Sequence, residues 1–213
     1  MSVLDKLATA LDRRDEVPNQ ELAQEILKAG DSATVKELVA NLQHKDKGIQ
    51  GDCIKVLYKV GEMQPDLIAE YAEDFEKLLA SKNNRLVWGA MTALDCIATT
   101  EPKTIHKMLS RILAASDEGS VITRDHAVGI LAKLASLKQY AGECVPLLIE
   151  QIAGCPNNQL SMYAEKALPT ITGTHKIRFE TVIKKRMQDV ERESQRKRLT
   201  RVLRKLENSA SRD

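Results

Sequence analysis

Side chains that could carry chemistry are few and scattered in this sequence. The four histidines are His44, His106, His126 and His175. None of them has a carboxylate or a second histidine at metal-ligand spacing on one helical face, so we expect turn or surface histidines and no metal or other cofactor. The signatures of a phosphate loop, a serine nucleophile elbow, a zinc helix and a dinucleotide-binding turn are absent from the sequence. We therefore predict that the chain is not an enzyme.

Charge is the second chemical signal. Residues 176–213 contain 13 Lys or Arg and 6 Asp or Glu, a net charge of +7, whereas the whole chain carries +2. Two positions one helical turn apart also recur through the chain; six of these ten positions are basic and none is acidic. The basic residues are Lys55, Lys59, Lys133, Lys166, Arg201 and Lys205. Aligned cations attract an acidic peptide or a phosphate backbone through the same field. The alternative is that these are ordinary solvated side chains.

A repeated apolar pattern must position these residues. Leucine recurs every 37 residues, at Leu57, Leu94, Leu131 and Leu168. Around each leucine, apolar residues return at the same offsets, with a small residue four positions before it and an aliphatic residue three positions after it. This spacing predicts a helix with one buried face in each repeat, preceded by another amphipathic helix and a polar turn. Each repeat is therefore predicted to be a helical hairpin.

The pattern predicts an all-α fold, an α–α superhelix of about five to six stacked helical hairpins. We expect a single domain over residues 1–208, followed by a disordered tail at 209–213. Its parts are a capping hairpin at 1–30, repeats at 31–62, 63–100, 101–137 and 138–173, and a basic capping hairpin at 174–208. Pro146 and Pro169 fall inside helical patterns, where we predict bends.

The second helices of these hairpins resemble those of the HEAT and armadillo-like α-solenoids, which typically read V-R-x-x-A-x-x-A-L-x-x-I-G. The matching stretches are IQGDCIKVLYKVG (49–61), LVWGAMTALDCIA (86–98), TRDHAVGILAKLA (123–135) and LSMYAEKALPTIT (160–172). The 37-residue period is shorter than the roughly 40–47 residues usual for such repeats. The arginine expected at the second template position occurs only as Arg124, with Gln50, Val87 and Ser161 at the equivalent positions. The resemblance implies that the Asp–Arg ladder common in this family is broken here.

The resemblance implies a HEAT-like repeat protein that is a non-enzymatic protein–protein interaction scaffold. In such a solenoid, equivalent positions on successive second helices line up on the concave face. The six basic residues would then form a stripe that binds a protein partner with an acidic segment. The first alternative is a nucleic-acid-binding solenoid that uses the stripe and the basic C-terminal hairpin. The second is a HEAT-like DNA glycosylase or lyase-type enzyme, for which only Trp88 and Asp95, seven residues apart on one helix, could supply the aromatic ring and the carboxylate.

The N-terminal segment and the cysteines allow a prediction of the cellular compartment. The N-terminal segment is amphipathic and charged, without the apolar region of a secretory signal, and no apolar run approaches the roughly 20 residues that span a bilayer. Four widely spaced cysteines form neither a CxxC motif nor a secreted disulfide framework. We expect a cytoplasmic monomer that does not contact membranes.

Overall fold

Short polar side chains determine where several helices begin. Asp31, Asp46 and Asn83 each precede a helix, and a side-chain oxygen of each accepts a hydrogen bond from a backbone N–H in its first turn, at 2.9, 2.7 and 3.2 Å. Such N-caps satisfy donors that have no partner within the helix. Gly30 ends the first α-helix in the left-handed conformation, with φ of 61°. Local chemistry thus sets the boundaries of the predicted hairpins.

The computed structural model describes residues 2–210, and it contains no strand among them. Of these described residues 79% are helical, which confirms the all-α prediction. The α-helices in this range are α1 Val17–Ala29, α2 Ser32–Ala40, α3 Lys47–Met63, α4 Ala72–Leu78, α5 Asn84–Ile97, α6 Pro102–Lys107, α7 Leu109–Glu118, α8 Val121–Ala135, α9 Lys138–Gly154, α10 Asn157–Ala167, α11 His175–Met187 and α12 Glu193–Ala210. Of the predicted disordered tail, residues 209 and 210 belong to α12, and residues 211–213 lie outside the described part.

Several predicted helices are interrupted by 3₁₀ turns. The 3₁₀ helices within residues 2–210 are Val3–Lys6, Asn41–Gln43, Pro65–Leu67, Ala69–Tyr71 and Leu168–Thr170. The first arm of the predicted N-terminal hairpin is only the 3₁₀ helix Val3–Lys6, because the chain turns afterwards and Asp12 adopts a left-handed conformation with φ of 53°. A bend is predicted at Pro146; this proline lies inside α9, which continues as one α-helix from Lys138 to Gly154.

The helices group into two compact units, one ending at Ala127 and the other beginning at Val128. The division falls within α8. In a stack of repeats each layer contacts only its neighbours, so such a grouping does not distinguish one domain from two. A single domain over residues 1–208 therefore stays a prediction.

In the first unit, α3 packs against both α1 and α5. The template residues of α3 and α5 form its core: Leu57 and Leu94 are both 0% exposed. The small residues Cys53 and Ala90, four positions before these leucines, are also fully buried. Because a small side chain allows neighbouring helices to approach closely, these positions support the packing of successive second helices.

In the second unit, α9, α10, α11 and α12 pack against one another. Leu131 is fully buried, as the template predicts, whereas Leu168 is only half-buried. The inward position expected for Leu168 is therefore wrong. Pro169 has no N–H to continue the helix, so α10 ends at Ala167 and Leu168 begins a 3₁₀ turn, where it is less buried than the other three template leucines.

The second template position has a structural role in three repeats. Gln50 Nε2 donates a hydrogen bond to the carbonyl of His44 at 2.7 Å. Arg124 donates from Nε to the carbonyl of Ser116 at 3.3 Å and from Nη2 to that of Asp117 at 3.2 Å. Arg196, 35 residues after Ser161, donates likewise to the carbonyl of Val190. These side chains satisfy carbonyl groups at the end of the first helix of a hairpin or in the turn that follows it.

Ser161 is too short for this role, and a residue of the following hairpin takes it over. Arg186 on α11 donates to the carbonyl oxygens of Ile152, Ala153 and Cys155, with N···O distances from 2.5 to 3.2 Å. Hydrogen bonds from a charged group are among the strongest in proteins. The end of α9 is thus held by the next pair of helices.

Candidate protein-binding surfaces

A groove lies between the second helices of the first unit, and we call it the α3–α5 groove. Its volume is about 260 Å³. The residues that line it are Glu16, Asn19, Gly51, Asp52, Ile54, Lys55, Tyr58, Arg85, Trp88, Gly89, Thr92 and Ile122. Lys55 and Thr92, which occupy equivalent template positions 37 residues apart, both line it. Within this unit, therefore, equivalent positions on successive second helices do face one recess.

Close approach of α3 and α5 forms the bottom of this groove. A Cβ atom added at Gly89 would lie 2.4 Å from Cγ1 of Ile54, which is far inside van der Waals contact. At Gly51, a Cβ atom would lie 3.3 Å from Cδ of Arg85, so the Arg85 side chain extends across the surface of α3. Glycine at position 89 is therefore required by packing, because no larger residue fits without moving the helices apart.

The two predicted basic residues of α3 are neutralised by neighbouring carboxylates. Lys55 forms a close ion pair with Glu16, and its side chain is only 18% exposed. Burial of Lys55 opposes its charge, but hydrogen bonds to Glu16 and Tyr58 outweigh burial and raise the pKa of the ammonium group. Lys59 pairs with Glu62 at 2.7 Å, and both ammonium groups lie over the Tyr58 ring, 5.2 and 5.6 Å from its centroid. The basic stripe thus has little free charge here.

Arg85 supplies the positive charge that the prediction placed at Lys55 and Lys59. Its side chain is exposed, and its guanidinium makes no ion pair within residues 2–210. It lies one helical turn before Trp88, whose half-buried ring also lines the groove. Sequence reasoning missed Arg85 because it is outside the two recurring basic positions, although its i, i+3 spacing from the single tryptophan was a usable signal.

A buried polar network supports one wall of the groove. Asp52 is 9% exposed, and its Oδ1 accepts a hydrogen bond from Asn19 Nδ2 at 2.8 Å. Asp52 Oδ2 accepts from the backbone N–H of Thr9 at 2.7 Å, and Asn19 Oδ1 accepts from that of Ala8 at 3.0 Å. A buried carboxylate satisfied in this way fixes three chain segments against one another. No local pattern indicates this network, because its members are 11 to 43 residues apart.

His126 lies between a hydroxyl and a carboxylate, an arrangement that sequence reasoning also missed. Its Nε2 is 3.0 Å from Thr92 Oγ1, and its Nδ1 is 2.9 Å from Asp95 Oδ2. The order of groups is that of a catalytic triad, but Thr92 lies inside α5 and hydrogen-bonds to the Trp88 carbonyl at 2.9 Å. Backbone N–H groups within a helix are already used, so none is available to stabilise an oxyanion. We assign the network to packing of α8 against α5.

Trp88 and Asp95, the residues of the glycosylase alternative, face different surroundings. Trp88 lines the α3–α5 groove, whereas Asp95 does not line it and is hydrogen-bonded to His126.

Among the described residues no group of three or more His, Cys, Asp or Glu could hold a metal ion. Burial raises the pKa of the Cys53 thiol to about 12 and that of Cys144 to about 11, so both are protonated near neutral pH.

A second recess lies in the second unit, and we call it the α10–α12 cluster. Its volume is about 300 Å³. The lining residues are Glu165, Leu168, Arg198, Arg201, Val202 and Lys205. Arg198 binds Glu165 through two hydrogen bonds, of 2.9 and 2.5 Å. These bonds lower the pKa of Glu165 despite partial burial, and the charges of Arg201 and Lys205 lower it further.

The remaining predicted residues are distributed unevenly. Arg201 and Lys205 are exposed, line the α10–α12 cluster and form no ion pair within residues 2–210. Lys166 is exposed on α10, next to Glu165, and Lys133 is half-buried on α8. Neither of these two lysines lines the cluster. A continuous stripe through all six basic residues stays a prediction.

Comparison with known proteins identifies the fold. No model of a known protein family matches the chain, and a search of curated proteins finds no match. Among solved structures, a designed armadillo repeat protein in complex with the peptide (KR)4 is similar with a TM-score of 0.66 and 17% identity, over 87% of this chain and 85% of that one. A structure of computationally designed armadillo repeat proteins for modular peptide recognition has a TM-score of 0.66 and 16% identity, over 86% of this chain and 85% of that one. An engineered protein has a TM-score of 0.62 and 19% identity, over 98% of this chain and 100% of that one.

Within the described residues, no helix combines the length and apolar character needed to cross a membrane. The helical hairpins, the buried template leucines of α3 and α5 and the similarity to solved repeat proteins agree on one architecture. The chain has the all-α fold of armadillo-like and HEAT-like helical repeats.

Proposed function

We propose that this chain is a non-enzymatic protein-interaction scaffold that binds a peptide segment of its partner in the α3–α5 groove. The observation that carries the proposal is the pairing of an available guanidinium, Arg85, with the ring of Trp88 in one recess. Tryptophan and arginine are the residues most enriched among interface hot spots. Designed armadillo proteins of the same fold include one in complex with a peptide, which supports a peptide as the ligand class.

The charges of the groove favour a partner segment with an acidic residue. Glu16 and Lys55 neutralise each other, and the Asp52 carboxylate is satisfied by Asn19 and Thr9. Arg85 is then the groove's unpaired charge within residues 2–210, and a guanidinium binds a carboxylate through two parallel hydrogen bonds. The adjacent Trp88 ring offers an apolar face to a neighbouring side chain of the same segment.

We further propose that the protein acts as a cytoplasmic monomer. Cys53, Cys144 and Cys155 are buried free thiols, and Cys96 is a half-buried free thiol. Free thiols of this kind are typical of a reducing compartment.

The experiment uses Trp88 as the reporter, since it is the single tryptophan of the chain. Peptides are selected on the intact protein from a random library, and their binding is measured by Trp88 fluorescence and by anisotropy of labelled peptide. We expect Trp88→Ala and Arg85→Ala each to weaken binding about tenfold or more. Lys36→Ala, an exposed lysine of α2 outside the groove, is the matched control and leaves affinity unchanged. Selected peptides that bind both groove variants as tightly as the original protein would refute the proposal.

Nucleic-acid binding is the second candidate function, and the charge of α12 favours it. This helix carries six Lys or Arg and two Asp or Glu. The test is the affinity for duplex DNA as a function of salt, because phosphate contacts make the logarithm of the binding constant fall steeply with the logarithm of salt concentration. Absence of binding at low salt removes this candidate.

A further inference from the structure

The α10–α12 cluster differs from the rest of the basic surface because it has an apolar base. Leu168 is half-buried, and Val202, which also lines the recess, is 2% exposed. Leu168 is available at this surface because α10 stops at Ala167, before Pro169. A recess of about 300 Å³ has room for one aliphatic side chain of leucine size together with part of its backbone.

Cations surround this apolar base on the α12 side. Arg201 and Lys205 are four residues apart, so they lie about one turn, roughly 6 Å, from each other along the helix. In an extended peptide, side chains on the same face repeat every two residues, about 6.8 Å. Two carboxylates on alternate residues of an extended segment therefore reach both cations.

The charge of the recess differs where Arg198 of α12 meets Glu165 of α10. Arg198 is held by two hydrogen bonds to Glu165, so its charge is already compensated. Because this pair carries no net charge, a carboxylate or phosphate gains little there, which leaves the apolar base open to an uncharged side chain. The cluster thus carries an ordered pattern: a compensated pair, an apolar base and two uncompensated cations.

We infer that the α10–α12 cluster is a docking site for a short acidic segment of a protein partner, with one aliphatic side chain inserted against Leu168 and Val202 and carboxylates of the same face of the segment on Arg201 and Lys205. The site is separate from the α3–α5 groove and shares no residue with it. It therefore does not depend on the function proposed for that groove.

A nucleic acid fits this pattern less well. The aromatic residues of α10 and α11, Tyr163 and Phe179, are 1% and 0% exposed, and α12 contains no aromatic residue, so these helices offer no ring for base stacking. A phosphate backbone gains nothing from the contact surface of Leu168, and the Arg198–Glu165 pair adds no net positive charge to attract it. An acidic peptide uses both the cations and the apolar base.

The probe is a labelled, capped heptapeptide with leucine at its centre and glutamate elsewhere, measured by fluorescence anisotropy with the full-length protein. We expect Arg201→Glu combined with Lys205→Glu to weaken binding by about tenfold or more. The matched control is Lys185→Glu combined with Arg192→Glu, two exposed residues of the same unit outside the recess, which changes the charge equally. We expect it to weaken binding less than about threefold. Circular dichroism confirms that both variants retain their helices.

Two further probes decide between specific docking and general charge attraction. Replacing the central leucine of the peptide by glycine should weaken binding at least about fivefold, because the side chain no longer fills the recess. A DNA duplex of about 20 base pairs should bind more weakly than the leucine peptide at about 50 mM salt. Equal binding of the leucine and glycine peptides, equal losses in the two charge variants, tighter binding of the duplex, or no binding of the leucine peptide would each overturn the inference.

Discussion

Helices α5 and α10 follow the same apolar template but end differently. In α5 the helix continues to Ile97, three residues past Leu94, and Leu94 is fully buried. In α10 the helix stops at Ala167, one residue before the equivalent Leu168, which is half-buried at the edge of the α10–α12 cluster. One proline, two residues past the end of α10, thus accounts for a core position in one repeat and a surface position in the other.

The basic positions show the same contrast. Lys55 and Lys59 in the first unit are paired with Glu16 and Glu62, whereas Arg201 and Lys205 have no such partners within residues 2–210. Equivalent positions in a repeat are therefore equivalent in geometry but not in electrostatics. Whether a position belongs to the core, to an internal ion pair or to a binding surface depends on residues outside the template.

Alanine substitution of the two leucines is the strongest test of this contrast. Leu94→Ala should lower the free energy of unfolding by about 2–5 kcal/mol, because it leaves a cavity in a fully packed site. Leu168→Ala should lower it by less than about 1.5 kcal/mol, because solvent already reaches this side chain. Lys59→Ala, on the surface, should change it by less than about 0.5 kcal/mol. Urea unfolding followed by circular dichroism measures all three, and similar losses for the two leucines would contradict the different burial described here.

Two carboxylates extend the comparison to polar groups. Asp52→Ala should lower the free energy of unfolding by about 2–3 kcal/mol, because Asn19 and the Thr9 N–H lose their buried acceptor. Glu165→Ala should lower it by less than about 1 kcal/mol, because its ion pair with Arg198 is exposed to solvent. The same urea experiment compares them. An Asp52 variant as stable as the Glu165 variant would mean that the buried network does not support the groove wall.

The smallest expected effect is the pH dependence of the Glu165–Arg198 pair. The folded-state pKa of Glu165 lies below its ordinary value of 4.5, so the stabilisation is present above about pH 4.5 and is lost as the pH falls through the lower, folded-state pKa. Arg198→Met removes the largest cause of this shift. The stability difference between the original protein and this variant should be under about 1 kcal/mol at neutral pH and should shrink towards zero as the pH falls through the folded-state pKa of Glu165. A difference that grows on acidification would contradict the assignment.

Much of the fold was predictable because it rests on local periodicity. The buried positions of Leu57, Leu94 and Leu131 follow from the 37-residue spacing, and caps such as Asn83 follow from their type. The turn at Leu168 was only partly predictable: Pro169 indicated a bend, but not that the α-helix would stop before the template leucine. The 3₁₀ helix Val3–Lys6 was missed because the apolar spacing there is compatible with an α-helix.

The binding surfaces were less predictable because they depend on contacts between distant residues. The six basic positions identified the Arg201 and Lys205 part of the α10–α12 cluster but did not reveal that Glu16 and Glu62 compensate Lys55 and Lys59. The contact between His126 and Asp95 joins neighbouring repeats, and no local pattern encodes it.

The bonds from Arg186 to the end of α9 bear on how this protein tolerates shortening. A chain cut before α11 loses the donors for three carbonyl oxygens as well as the last two helices. We expect the final turn of α9 to fray in such a fragment, because its own hairpin has serine where a longer side chain would reach back. We therefore expect the fourth and fifth hairpins to unfold together, so an engineered insertion or exchange of modules should keep them together.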